Sequence, residues 1–438
     1  MGSGMRILSR RLTLLCSRYK VVVSLLILLF ARAAAMSAQT LARPGWVGSG
    51  VRVERWWKEA VFLEVGTTER PAGAGGGQDH SELARVAASL GDIQTFGVDA
   101  IILRGIDHAD DRQGENGRMS PTYGTREQFD RLMQEAGSRR IRVVVELDST
   151  EQGDSLASAA RFWLSRGVTG LYLRSDTSRA STPQQVEVLR AVLRSYVGDR
   201  VLIAEPSRAQ AASDEPSPGA AQAAGRRTPT SASGQPDLTL LRVRGLGEGG
   251  VDVAAVRESL HKAQGHTSGS LVELPSGSAG ASTGAREAES VALLSAGAAI
   301  ALSADAVGPA QVGGGGDQDK GTRTTANEPL VDWYRKLLGL HRGNPTMRGG
   351  EETLLNHDAD GALVCVWVGR GAGAQAVVAI SNLTDRPLHT ELTKEIAAMH
   401  LRGSFLRTLL RSDGGMGAMP LRSVSLPPYG VYIGELGR

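Results

Sequence analysis

The sequence predicts an α/β protein whose larger part is a (β/α)8 TIM-type barrel and whose C-terminal part is an antiparallel β-sandwich. Before residue 350, short apolar runs alternate with amphipathic helical stretches, a pattern that favours a parallel sheet closed into a barrel. After residue 350, the β-rich runs are short and are separated by turn residues, which is typical of an antiparallel sandwich. A chain of 438 residues is long enough for one large domain and one smaller domain.

The barrel prediction depends on strands and helices that follow one another in order. The first predicted strand, residues 60–65 (AVFLEV), precedes a helix near residues 81–96. Residues 98–103 (VDAIIL) form a nearly continuous apolar run, as expected for a strand that is buried on both faces. A helix at 126–138 places Phe129 and Leu132 on one face. The other predicted strands are 143–147, 170–173, 201–204, 238–243, 270–274 and 298–303, and the other helices are 156–166, 184–196 and 330–341.

These elements set the predicted domain bounds. The barrel covers residues 55–349 and the sandwich covers residues 350–438. Two loops of the barrel, 208–236 and 312–328, have few large apolar residues and are predicted to be disordered. The predicted sandwich strands are 362–368, 376–381, 390–392, 405–410 and 431–433.

The N-terminal residues 1–35 have the pattern of an export signal or a short membrane anchor. Basic residues precede the apolar run 21–30 (VVVSLLILLF), and three alanines at 33–35 offer a cleavage site. An apolar run of this length is short for a membrane span. We therefore expect export to the periplasm or the cell exterior, with membrane attachment only if the segment stays uncleaved; a start codon assigned upstream of Met36 is a third interpretation. Residues 36–54 are predicted to be a linker.

Composition excludes some classes of partner. The net charge of +3 is too small to indicate a nucleic-acid partner. The aromatic content of 4% is low for a protein that stacks aromatic rings on sugars. The histidines lack metal-ligand spacing, and the glycines at 313–316 lack the Lys-Ser/Thr of a phosphate loop. No cofactor or metal is expected, and the pair Asp107 and His108 is interpreted as a solvated loop pair.

Residues 167–176, which read GVTGLYLRSD, resemble the fourth-strand motif G-V-D-G-F-R-L-D of the α-amylase superfamily, glycoside hydrolase family 13. Further stretches resemble bacterial α-glucosidases in the same order along the chain, and this order implies the family's barrel and C-terminal sandwich. They are 56–61 (WWKEAV), 96–101 (FGVDAI), 123–133, 141–147 (IRVVVEL), 202–205 (LIAE), 332–349 and 426–430 (LPPYG). The subdomain that the family inserts after the third strand is missing, because residues 147–156 make a short connection.

The same resemblance indicates that the catalytic positions have changed. The family's nucleophile position holds Arg174, and the position of its supporting Arg holds Tyr172. A guanidinium stays protonated and has no free lone pair for nucleophilic attack. Glu205 stands at the general-acid position, where the resemblance makes it a surviving and vestigial residue. The family's first sugar-binding region, D-x-x-x-N-H, is replaced by Glu146, Thr150 and Glu151, and the seventh-strand N-H-D is replaced near 274–277, where the chain reads LPSG.

A retaining glycosidase needs two carboxyl groups about 5 Å apart. Asp176 is the alternative nucleophile, but two residues of extended chain displace it from position 174 by roughly 6–7 Å. We expect instead that Arg174 forms a charge-assisted pair with Glu205 and removes it from acid catalysis.

Two functions follow from these residues. The first is an exported, non-catalytic pseudo-glycosidase that binds a carbohydrate or serves as a scaffold for a protein partner. The ectodomains of amino-acid-transporter heavy chains are similar, since they too lack the inserted subdomain and most catalytic residues. The second is a divergent α-glucosidase or α-amylase-type hydrolase with a rebuilt site. The losses at Arg174 and Tyr172 favour the first.

Overall fold

The computed structural model describes residues 55–66, 81–107, 118–120, 123–148, 150–174, 181–205, 235–246, 251–264, 269–274, 282–294, 299–303, 328–355, 361–370 and 375–437. The predicted N-terminal segments 1–35 and 36–54 lie outside these residues. Most of the two loops predicted at 208–236 and 312–328 lies outside them as well. Both the barrel and the C-terminal sheet belong to the compact unit Arg55–Arg438.

Eight parallel strands close into a barrel in the order of the chain, which confirms the predicted fold class. The strand cores are buried on both faces, so they read as apolar runs. The strands are β1 Val61–Val65, β2 Ala100–Leu103, β3 Arg142–Leu147, β4 Gly170–Leu173, β5 Val201–Ala204, β6 Leu238–Arg242, β7 Ser270–Glu273 and β8 Ala299–Ser303.

Helices surround the barrel, and local sequence signals mark several of their ends. Thr125 and Thr182 each begin a helix with a capping box, in which the hydroxyl accepts from the third residue of the helix and that residue's amide side chain accepts from the cap. The first helix ends at Gly97, whose φ of 92° favours glycine. The helices are α1 Glu82–Phe96, α2 Arg126–Ser138, α3 Gly153–Ser165, α4 Pro183–Arg194, α5 Val253–Gln264, α6 Thr283–Leu294, α7 Glu328–Gly343 and α8 Pro345–Gly349.

Two details of the barrel bear on the sequence predictions. Strand β3 ends at Leu147 and α3 begins at Gly153, so the predicted short connection is confirmed. Helices α5 and α6 were not predicted. In α5, Arg257 and Ala263 share the buried face with Val256 and Leu260. In α6, small residues such as Ala288 are mixed with larger apolar residues on the buried face. Pattern recognition needs large apolar residues at helical spacing, and small residues give little contrast.

The barrel interior is apolar through its lower layers. Alternate strand residues such as Phe62, Ile102 and Tyr172 belong to one buried cluster inside the barrel. Trp57 joins this cluster and Trp56 packs against it, both from the short turn Trp56–Glu59 that precedes β1. The interior is therefore a packed core and not a channel.

The C-terminal part consists of short strands and one short helix. They are β9 Glu351–Leu355, β10 Ala362–Val368, β11 Ala376–Asn382, β12 Leu388–Thr390, α9 Thr393–Ala398, β13 Phe405–Arg411, β14 Ala418–Pro420, β15 Val424–Leu426 and β16 Val431–Gly437. Six of the strands form an antiparallel sheet in the order β14-β13-β16-β11-β10-β9, and β12 pairs with β15 in a two-stranded sheet. One face of the large sheet joins the main core with residues such as Trp367, and Ser381 donates to the carbonyl of Ala288 in α6 at 2.8 Å. The other face packs on β12, β15 and the helix α9.

Close packing inside the barrel generates a test at Gly170, the first residue of β4. A Cβ atom there would lie 2.4 Å from Cγ1 and 2.8 Å from the carbonyl oxygen of Val201. Gly170→Ala should therefore lower the free energy of unfolding by about 1–3 kcal/mol, measured by urea titration. Gly91→Ala is the matched control, because a Cβ at this helical position meets nothing within 4 Å. The control should leave stability unchanged or raise it, and equal losses in both variants would contradict the strand register.

Candidate functional site

Charged side chains gather where the carboxyl ends of the barrel strands meet. In β1, the inward-facing Phe62 is followed two residues later by Glu64. Side chains of a strand alternate between its two faces, so the next strands likewise carry a charged residue two positions after an inward-facing apolar residue. We call these residues the mouth ring. They are Glu64, Arg104, Glu146, Arg174, Glu205, Arg242 and Glu273.

The first half of the mouth ring connects β1 to β4. Arg104 Nη1 donates to Glu64 Oε2 at 2.7 Å, and Arg104 Nε donates to Glu146 Oε2 at 3.3 Å. Arg174 Nη1 lies 3.9 Å from Glu146 Oε1. Acidic and basic groups therefore alternate from strand to strand, which is the arrangement that compensates buried charge.

The second half of the mouth ring connects β5 to β7. Arg242 Nη2 donates to Glu205 Oε1 at 2.9 Å. Arg242 Nε lies 2.9 Å from Glu273 Oε2, but this approach lacks hydrogen-bond geometry, so the contact is an ion pair only. The Tyr172 hydroxyl donates to Glu205 Oε1 at 2.8 Å and joins the two halves across β4 and β5.

The prediction that Arg174 pairs with Glu205 is wrong. Among the described residues, the guanidinium on Glu205 comes from Arg242, and Arg174 pairs with Glu146. Tyr172 already fills the β4 side of Glu205. The prediction that Glu205 is engaged by an arginine is correct, but the arginine belongs to β6.

Burial and charge shift several pKa values in the mouth ring. Burial, followed by the nearby Glu273 carboxylate, raises the pKa of Glu64 to about 7. Burial also raises the pKa of Glu146, although Arg104 and Arg174 oppose this. Burial lowers the pKa of Arg242, but Glu273 and Glu205 outweigh that effect and hold it above its usual range.

Thr150 and Glu151 lie outside the mouth ring, in the connection from β3 to α3. Glu151 is buried and pairs with Arg118 at 2.7 Å. Arg118 also contacts Asp107, which accepts from the indole of Trp163 at 2.7 Å. Thr150 is exposed and donates to Asp148 from its backbone and its hydroxyl.

The contacts among Asp107, Arg118 and Glu151 connect the segments that follow β2 and β3. The interpretation of Asp107 as a solvated loop residue is wrong, because its side chain is fully buried by these contacts. His108, Asp176 and residues 275–277 lie outside the described residues, so their predicted roles stay predictions.

Sequence reasoning missed four members of the mouth ring, namely Glu64, Arg104, Arg242 and Glu273. Each is a charged residue within one position of the end of an apolar strand, as in AVFLEV, LTLLR and SLVE. That position is a usable signal, because inward-facing residues at the carboxyl end of a barrel strand meet at the mouth.

The described residues contain no group of three or more His, Cys, Asp or Glu side chains that could hold a metal ion. Within the same ranges, no helix is long and apolar enough to cross a membrane.

Comparison with known proteins shows which solved structures have a similar fold. No protein-family model matches the chain. The structure is similar to isomaltulose synthase from Erwinia rhapontici, with a TM-score of 0.60 and 14% identity over 87% of this chain and 99% of that one. It is also similar to trehalose-6-phosphate hydrolase from Bacillus licheniformis, with a TM-score of 0.61 and 13% identity over 88% of this chain and 100% of that one. The chain therefore shares the fold of these two enzymes, a (β/α)8 barrel followed by a C-terminal antiparallel sheet.

The chain is also similar in sequence to a second group of proteins. The chain is 27% identical over 169 residues to the amino acid transporter heavy chain SLC3A2 of Oryctolagus cuniculus, and 24% identical over 170 residues to that of Mus musculus. These matches cover 35% of this chain. The chain spans about a third, 31%, of the length of these relatives.

The contacts of the mouth ring allow a prediction for the loss of Arg242, its half-exposed member. Arg242→Met should lower the free energy of unfolding by about 1–3 kcal/mol, because it leaves the buried carboxylates Glu205 and Glu273 without their shared cation. Urea unfolding measures this loss. Arg244→Met is the matched control, since Arg244 is exposed two residues later and should change stability by less than about 0.5 kcal/mol. A change of that small size in Arg242→Met would show that the mouth ring does not stabilise the fold.

Proposed function

We propose that this chain is a non-catalytic protein of the α-amylase fold that serves as a scaffold for a protein partner. The observation behind the proposal is the state of Glu205, the carboxyl at the general-acid position. Its Oε1 accepts hydrogen bonds from both Tyr172 and Arg242. A general acid must present a proton to the leaving group, and an oxygen that already accepts from a guanidinium is not placed to do so.

The space beside Glu205 supports the same proposal. Hydrolysis of a glycosidic bond needs the bond to lie between two carboxyl groups. In this barrel, the guanidinium of Arg242 bridges Glu205 and Glu273. A sugar at that place would have to displace a cation that both carboxylates hold.

The fourth strand supplies no replacement nucleophile within its described part. Strand β4 ends at Leu173, and the following Arg174 occupies the family's nucleophile position. Arg174 pairs with Glu146 from β3, so both residues are engaged in the mouth ring. Tyr172 is buried and bound to Glu205, and burial raises its pKa well above the usual range, so it keeps its proton and acts as a donor.

A scaffold role also agrees with the curated relatives, which are named as heavy chains of an amino acid transporter. We extend the proposal to an exported protein, since residues 1–35 have the pattern of an export signal or anchor. Carbohydrate binding at the mouth is disfavoured by the filled mouth ring and by the aromatic content of 4%.

One observation favours a divergent glycosidase as the second function. Glu205 and Glu273 both lie at the barrel mouth and share one guanidinium, so a substrate that displaced Arg242 would meet two carboxyl groups. The solved structures of similar fold include an isomaltulose synthase and a trehalose-6-phosphate hydrolase.

The purified protein should show no hydrolysis of aryl α-glucosides or maltooligosaccharides above the buffer rate. Release of nitrophenol and of reducing sugar measures this. Glu205→Gln is the control, because it preserves the size of the side chain while removing the acid. Turnover that Glu205→Gln or Glu273→Gln abolishes would support the divergent enzyme and overturn the non-catalytic proposal.

A further inference from the structure

The two ends of the barrel differ in how their arginines are paired. At the mouth, every arginine of the mouth ring has a carboxylate oxygen at 2.7–3.9 Å. Parallel strands all begin at the opposite end, so the segments that lead into them share one surface of the barrel. The segments 139–142, 166–169 and 194–200 lead into the neighbouring strands β3, β4 and β5. We call them the arginine face, because together they contain six arginines, no lysine and a single acidic residue, Asp199.

Most arginines of this face have no acidic partner among the described residues. Arg139 lies 3.8 Å from Glu135, whereas the other five have no carboxylate oxygen within 4.0 Å in the described part of the chain. These five are Arg140, Arg142, Arg166, Arg194 and Arg200. Burial lowers the pKa of Arg200, and burial followed by the charge of Arg126 lowers the pKa of Arg166. A paired carboxylate has the opposite effect on an arginine, so these five carry positive charge that no ion pair within the described ranges neutralises.

Helix ends account for only part of the arginine face. Three of its arginines lie at the C-terminal ends of helices, namely Arg139, Arg166 and Arg194. A cation at that place stabilises the helix dipole, which is a sufficient reason for these three. Arg140, Arg142 and Arg200 lie outside the helices, so the dipole does not explain them.

Contacts with aromatic rings hold two of these guanidinium groups in place. Arg142 Cζ lies 4.3 Å from the centroid of the Trp56 ring, and the Trp56 indole donates to the backbone carbonyl of Asp199 at 3.1 Å. Arg200 Cζ lies 5.4 Å from the centroid of the Tyr196 ring, and Arg200 donates to a backbone carbonyl of the segment before β4. Both arginines are half-buried. Because these guanidinium groups are already held, they lose less side-chain entropy when they bind a partner.

The composition of the arginine face favours a protein partner over a lipid surface. Val197 lies on this face and is 96% exposed, next to the half-buried Tyr196. Protein interfaces are enriched in arginine and aromatic residues and depleted in lysine. An anionic lipid surface attracts lysine and arginine alike, so it gives no reason for a face that has arginine alone.

We propose that the arginine face is the docking surface for a protein partner and that the partner presents an acidic segment with at least one apolar side chain. This inference rests on the proposed scaffold function and adds the chemistry of the partner. The carboxylates of the segment would pair with Arg140, Arg142, Arg194 and Arg200, since a guanidinium can hold a carboxylate by two parallel hydrogen bonds. The apolar side chain would cover Val197.

The test measures binding of two fluorescein-labelled peptides to the purified full chain. One peptide consists of nine glutamates, and the other contains the unit Glu-Glu-Leu three times. Fluorescence anisotropy is recorded in about 50 mM salt, where charges on the surface are weakly screened. Both peptides should bind, and the affinity should fall as the salt concentration rises.

Variants show whether the arginine face is the binding surface. Arg140→Glu combined with Arg194→Glu, at two exposed positions, should weaken the binding of both peptides by at least about tenfold. The matched control combines Arg402→Glu with Arg422→Glu, which are exposed in the C-terminal part and change the net charge equally. This control should change either affinity by less than about twofold. Val197→Ser should weaken only the peptide with leucine, by about threefold or more. Urea unfolding checks that every variant is folded.

Several results would overturn the proposal. They are the absence of binding by both peptides, an equal loss in the control and in the Arg140 and Arg194 variant, and a Val197→Ser variant that binds the leucine peptide as wild type does. Sedimentation with vesicles of phosphatidylserine and phosphatidylcholine in about 150 mM salt tests a lipid surface. Retention by these vesicles that the Arg140 and Arg194 variant loses would overturn the proposal in favour of a membrane.

The assay with aryl α-glucosides separates this inference from the scaffold function. The arginine face lies at the end of the barrel opposite to the mouth, so its variants leave the residues around Glu205 unchanged. Turnover of glucosides would contradict the scaffold function. A protein without turnover that binds neither peptide would contradict the docking surface alone.

Discussion

The guanidinium of Arg242 bridges the carboxylates of Glu205 and Glu273, and the rest of the barrel mouth is arranged around this contact. Eight parallel strands bring their carboxyl ends to one place, so inward-facing charges on different strands must meet there. Charges that meet in a buried site have to be paired or neutralised. The mouth ring satisfies this constraint by alternating acids and bases from β1 to β7. Arg242 is its half-exposed member and covers the two carboxylates from the solvent side.

The same arrangement explains why a scaffold role is proposed for an enzyme-like fold. A catalytic mouth keeps carboxyl groups apart and open to a substrate, whereas in this mouth they form hydrogen bonds or ion pairs with Arg104, Arg174, Arg242 and Tyr172. Below the mouth ring the barrel is packed with apolar side chains down to Trp57, so the interior offers no other polar pocket among the described strands. The ion pairs position one another and link strands that are far apart in the chain.

Much of the fold could be predicted from the sequence, because the barrel strands are continuous apolar runs and residues 170–173 of the motif form β4 as expected. Helices α5 and α6 could not be predicted, since a charged residue such as Arg257 in α5 and small residues such as Ala288 in α6 weaken the apolar pattern of their buried faces. At the site, the importance of Arg174 and Glu205 was evident from the sequence, but their partners were not. Partner choice depends on side-chain reach between adjacent strands, and a residue such as Glu205 has an arginine available on either side.

The most direct test of this account is a double-mutant cycle on Arg242 and Glu205, using Arg242→Met, Glu205→Gln and the double variant in urea unfolding. We expect a coupling free energy of at least about 1 kcal/mol, because the double variant should be more stable than the summed losses of the two single variants imply. The paired cycle of Arg174→Met with Glu205→Gln should give a smaller coupling, because Arg174 pairs with Glu146. A coupling near zero for Arg242 and Glu205, or a larger one for Arg174 and Glu205, would contradict the central claim.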